Sequence, residues 1–136
     1  MVVRTLLVAA VLAGMAGLSG GARAAQPGMD PGGRCSLGDR YPIRSVAAFN
    51  VVQDAGYTSY REFRGAEVIV PAQPGLTREW LQRVLTLQVA DGTCDFGARD
   101  VTVSVLPAGD AFSVRLSGKD ERAAGDILRH AQQLGR

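Results

Sequence analysis

Val101-Thr102-Val103-Ser104-Val105 alternates valines with hydroxyl residues, and Phe112-Ser113-Val114-Arg115-Leu116-Ser117 repeats the alternation. Pro107-Ala108-Gly109-Asp110 lies between them, and its residues are turn formers. Side chains on a strand point to opposite faces in turn. Each run therefore has one apolar and one polar face, and together they predict an antiparallel hairpin packed on one side only.

Downstream of the hairpin, residues 119–134 predict a helix. Asp120 caps it, Glu121 sits in its positively polarised first turn, and Ala123, Ala124, Ile127, Leu128, Ala131 and Leu134 form one apolar stripe. Upstream, residues 77–90 predict a second helix with Thr77 as N-cap and Leu76, Trp80, Leu81, Val84 and Leu85 at helical spacing. Before it, Glu67-Val68-Ile69-Val70 reads as a strand ended by Pro71. The order strand, helix, strand, strand, helix predicts an α+β two-layer sandwich, a small mainly antiparallel sheet with two helices on one face. A right-handed crossover joins the first strand to the hairpin if the two are parallel neighbours.

Further upstream, Tyr57–Phe63 and Glu67–Val70 are expected to form a hairpin about Gly65. Residues 43–56 are read as a short helix capped by Ser45 and stopped at Gly56, over an alternative strand around Phe49–Val52. Residues 25–40, rich in Pro, Gly and Asp, are expected to be a flexible arm ahead of a single domain spanning 41–136.

The first 24 residues have the parts of a secretory signal. Arg4 supplies the positive start, Leu6–Leu18 the uncharged apolar run, and Ala22-Arg23-Ala24 the cleavage site. The run is shorter than the roughly 20 residues a membrane span needs, and no later segment approaches that length, so no span is expected. Export makes one disulfide the expected state of the only two cysteines, Cys35 and Cys94. Of the 15 basic residues, Arg4 and Arg23 lie in the signal, leaving 13 against the 13 acidic ones. A formally neutral chain argues against a nucleic-acid partner. Apolar residues at 46% and charged residues at 21% fit a globular domain.

The common catalytic motifs are missing: no GxSxG, P-loop, HExxH or GxGxxG occurs. His130 is the sole histidine, and Asp126 lies one helical turn before it. The pair reads first as part of an Arg122–Asp126–His130 charge ladder and second as a catalytic dyad. Asp91, Asp95, Asp100 and Asp110 read as turn formers rather than ligands, so neither metal nor cofactor is expected. Trp80 reads as a core anchor, with a ligand platform as the alternative. Arg61, Arg64, Arg78 and Arg83 are candidates for an anion site to which Gly75 and the start of the 77–90 helix add backbone donors, weighed against a solvated charged face.

Three resemblances add to this reading. Asp100–Ala131 resembles part of a BON module, which implies an exported protein in contact with membrane or phospholipid. Ala55-Gly56-Tyr57 through Val70 is similar to the helix–strand–strand pattern of PepSY modules, which implies regulation of an exported partner. Val68 through Trp80-Leu81-Gln82, with Cys94-Asp95 and the hairpin–helix end, resembles small uncharacterised exported proteobacterial proteins, which implies location and fold without an activity. The expectation is an exported periplasmic or secreted binding module, non-enzymatic, acting on a protein, peptide or envelope component, with an exposed sheet edge able to form a homodimer. A small hydrolase or metal enzyme built on His130, and a structural envelope-stress protein, are the alternatives.

Overall fold

The structure, a computed structural model, describes residues 34–136; the expected signal segment and residues 25–33 of the expected arm lie outside them. The chain runs α1 (Ser36–Asp39), β1 (Ser45–Ala55), β2 (Thr58–Pro71), α2 (Arg78–Ala90), β3 (Thr102–Ala108), β4 (Ala111–Ser117) and α3 (Glu121–Leu134). It is an α+β fold whose four strands form one antiparallel sheet in the order β1-β2-β4-β3. No helix among the described residues is long and apolar enough to cross a membrane.

The hairpin and both long helices form where local chemistry places them. β3 and β4 pair through the two-residue loop Gly109-Asp110, with Pro107 and Ala108 still inside β3. Thr77 Oγ1 accepts from the Trp80 N–H at 3.2 Å, and Asp120 Oδ1 accepts from the Ala123 N–H at 2.8 Å. Each bond satisfies a first-turn donor that has no partner inside its own helix.

Three expectations are corrected. Residues 45–55 are strand rather than helix. Gly56, at φ +73°, serves the two-residue turn Gly56-Tyr57 and not a helix C-terminus. Val46, Phe49, Val51 and Val52 suit a pleated surface, and pairing with β2 overrides the helical alternative. Residues 58–63 and 67–70 belong to one strand, with Gly65 not a turn but part of a bulge where Phe49 faces Gly65 and Asn50 faces Phe63. No parallel crossover forms, because β2 pairs antiparallel with β4 and leaves β3 at the edge.

Ala66, Val68 and Val70 of β2 and Val114 and Leu116 of β4 point to one face and are fully or almost fully buried. Leu81, Val84 and Leu85 of α2 and Ala124, Ile127 and Ala131 of α3 are buried too, and nearly all of these side chains share one core cluster. α3 lies mainly on β2, while α2 sits over β3. The Gln82 side chain joins α2 to the β3 backbone: Nε2 donates to the Val103 carbonyl and Oε1 accepts from the Val105 N–H, both at 2.7 Å.

The end of the expected arm is also part of this core. Leu37 has no exposed surface, and Tyr41 is buried beside it. The disulfide Cys35–Cys94 forms, linking positions 59 apart. A closure of that length stabilises the fold by on the order of 4 kcal/mol in the chain-entropy account. Gln88 of α2 completes the attachment. Its Oε1 accepts from the Ser36 N–H at 3.0 Å, and its Nε2 donates to Ser36 Oγ at 2.8 Å.

Candidate functional site

Among the described residues, no helix covers the face of the sheet opposite α2 and α3. Strand alternation places Phe49, Val51 and Gln53 of β1 there, with Glu62 and Glu67 of β2, Ser113, Arg115 and Ser117 of β4, and Thr102 of β3. Two carboxylates organise it. Glu67 Oε2 accepts from Ser113 Oγ at 2.9 Å and from Arg115 Nε at 3.0 Å. The Arg115 guanidinium lies 5.1 Å from the centre of the Phe49 ring, within cation–π range. Glu62 Oε2 accepts from Gln53 Nε2 at 3.3 Å and from Arg64 Nη2 at 2.9 Å.

Between these clusters and the ends of β3 and β4 lies a hollow of about 370 Å³, lined by Phe49, Val51, Gln53, Arg64, Asp100, Thr102, Ser117, Gly118 and Lys119. The bulge shapes one wall, since the extra residue Arg64 joins the lining there. Beyond it, β1 and β2 continue as a two-stranded ribbon without β4 alongside, and the exposed Val52, Tyr57 and Tyr60 are on that ribbon. Asp100 adopts φ +58°, a left-handed conformation that Asp tolerates better than most residues. Among the described residues neither Asp100 nor Lys119 has an ion-pair partner. The hollow thus presents an aromatic ring, an amide, two hydroxyls and uncommitted charge of both signs. That set suits the amides and mixed charges of a peptide.

Of the residues singled out in the sequence, Arg64 and Asp100 line this hollow, whereas Trp80, Arg78, Arg83, Asp126 and His130 do not. Trp80 is half-buried; its Nε1 donates to Tyr41 Oη at 3.2 Å, and it packs against the core. It also lines a second, shallower hollow of about 290 Å³ with Arg40, Tyr41, Gln73, Pro74, Gly75 and Leu76. Arg78 bonds Glu79 Oε1 through Nε and Nη2 at 3.2 and 3.0 Å. The Glu79 backbone N–H, then Arg78, hold the Glu79 carboxyl below its ordinary range. Arg83 is exposed, and neither arginine lines either hollow.

His130 Nδ1 lies 2.8 Å from the main-chain oxygen of Asp126 and donates to it, because a carbonyl can only accept. The Asp126 carboxylate pairs instead with Arg129. The imidazole packs on Gly97, where an added Cβ would overlap the ring. Asp91 and Asp95 each accept a backbone N–H two residues on, from Thr93 at 2.9 Å and from Gly97 at 2.8 Å, which is the geometry of turn formers. The Thr93 side chain and backbone hold the Asp91 carboxyl below its ordinary range. Among the described residues no three His, Cys, Asp or Glu side chains converge as a metal site would require.

Sequence reading missed Phe49, Val51 and Gln53 because it placed them on a helix. The signal present was a Gly-containing two-residue turn between Val-rich and Tyr/Thr-rich runs. In comparisons with known proteins, no family model, curated protein or solved structure matches the chain.

Proposed function

We propose that the protein is an exported, non-enzymatic binding module that holds a peptide segment of a partner protein on the open face of its sheet. The observation that carries this reading is the hollow beside Phe49, on a sheet face that no helix among the described residues covers. Phe49 and Val51 provide apolar contact. Gln53, Thr102 and Ser117 offer hydrogen bonds to peptide amides, and Asp100 and Lys119 select charge of either sign. The exposed ribbon widens the surface available to a partner.

The Cys35–Cys94 disulfide favours an oxidising compartment, hence a periplasmic or secreted protein cleaved after Ala24. A hydrolytic role for His130 draws no support from a ring tied to its own helix backbone.

A photo-crosslinking amino acid placed at Val51, and separately at the exposed Arg122, tests the reading in the exporting cell. Adducts to a polypeptide other than this chain at position 51 and none at 122 are expected. No adduct at 51, or equal adducts at both positions, would refute it. Intact mass of the exported protein checks the cleavage.

A further inference from the structure

We propose that β1 is a subunit interface, through which two copies of this chain pair antiparallel about a two-fold axis at Phe49. The two edges of the sheet differ. β4 bonds to β2 through its even-numbered residues, as Gly118 N–H to Arg64 and Ala72 N–H to Asp110 show in the observed register. Its odd residues therefore bond to β3, and Val103, Val105 and Pro107 of β3 face outward. Gln82 occupies the Val103 carbonyl and the Val105 N–H, and Pro107 has no N–H to offer. This edge is closed to strand addition.

Among the described residues the β1 edge is open. The same alternation directs the odd residues of β2 toward β1, so Val46 and Ala48 face outward. After the bulge, the turn Gly56-Tyr57 makes Ala55 and Thr58 the closing bonded pair, and Asn50, Val52 and Asp54 face outward. From Ser45 to Gln53 the strand contains no charge and no proline, and most of it is exposed. Edges left free in solution usually carry charges or prolines that discourage pairing.

Only a second copy fits the pattern at both ends of this strand. With Phe49 opposite Phe49 of the second copy, Val46 meets Val52 and Ala47 meets Val51. Asp54, which has no ion pair among the described residues, then comes beside Arg44, just ahead of the second copy's β1, where the Arg44 N–H turns inward to the Ile69 carbonyl at 2.8 Å. Arg44 has donors to spare, since Asp110 engages two of the five on its guanidinium. Moving the register by two residues removes the charge match: Asp54 then faces Val46 or Pro42. The pairing also covers Val52, which is 60% exposed in the single chain. With one edge open and the other closed, such pairing ends at a dimer and does not grow into a filament. The dimer forms a continuous eight-stranded sheet, with the two hollows on the same face. The inference stands on the edge geometry and not on the peptide-binding reading.

Light scattering coupled to size-exclusion chromatography, on the full exported chain, tests the dimer. The wild type is expected at twice the chain mass. Ala48→Pro removes an outward N–H without touching the β1–β2 ladder, so it is expected to give a monomer with unchanged circular dichroism. Should that variant misfold, Asp54→Lys serves instead, with dimer dissociation at low salt raised roughly tenfold. Phe49→Cys is expected to cross-link two copies on oxidation, because facing Cα atoms in an unbonded pair lie about 4.5 Å apart, within disulfide reach. Asn50→Cys is expected not to. A monomeric wild type, a dimer that persists in a folded Ala48→Pro, or equal cross-linking at 49 and 50 overturns the proposal.

Discussion

Gly65 is the position where one methyl group tests the sheet most severely. Its φ is +155°, and a Cβ built there would overlap the Leu116 carbonyl oxygen and lie 3.0 Å from the carbonyl carbon and 3.3 Å from Ser117 Cα. All three atoms are backbone, so no side chain can rotate away. Gly65→Ala must push β4 from β2 beside the 2.8 Å bond from Gly118 N–H to the Arg64 carbonyl. Loss of a ladder bond, the strained φ and overpacking of a closed site together cost about 3–5 kcal/mol. Gly92→Ala is the control. Its φ is +82°, but nothing lies within 4 Å of the added Cβ, so only the backbone penalty of about 1 kcal/mol applies. Urea unfolding, followed through the single Trp80, reads both variants. At a slope of about 1–3 kcal/mol per molar, Gly65→Ala moves the midpoint down by about 2 M. Equal losses in the two variants would show that backbone conformation alone sets the cost and that β2 and β4 do not meet as described.

Three further outcomes follow from single contacts. Gln88→Leu strands the buried Ser36 N–H and hydroxyl and is expected to cost about 2–4 kcal/mol in the same assay, with part of the loss recovered in combination with Ser36→Ala. Gln82→Ala reopens the β3 edge and is expected to add assembly beyond the dimer, visible by light scattering as species that wild type lacks. The hydrogen bond and charge of Arg44 hold the Asp110 carboxyl below its ordinary range. A carboxyl depressed on folding contributes stability above its unfolded pKa of about 3.9 and loses it as pH falls through the folded value. Unfolding midpoints across that acid range should therefore fall more steeply in wild type than in Asp110→Asn.

Both long helices could be read from sequence because their signals are local. Thr77 and Asp120 reach donors within their own first turns, and the buried stripes repeat at helical spacing. The β3–β4 hairpin was legible for the same reason, two alternating runs around a short turn. β1 was not. Its residues are compatible with a helix until β2 comes alongside, and the bulge at Gly65 interrupts the alternation that would have shown one long strand. The candidate site inherited that error, since Phe49, Val51 and Gln53 line the hollow only if β1 is a strand.

The amino-acid order by itself determined the two capped helices, the one-sided hairpin and the pair of cysteines available for a staple. Those features depend on neighbours a few residues apart, or on composition. Tertiary structure alone decided that β1 joins the sheet and that Leu37 fills the core rather than swinging in an arm. It also decided that Gln82 closes one edge while the other stays open. Each of these depends on a partner distant in the chain, through strand pairing, a cross-link or a side chain laid on another element's backbone, and local spacing carries no record of it.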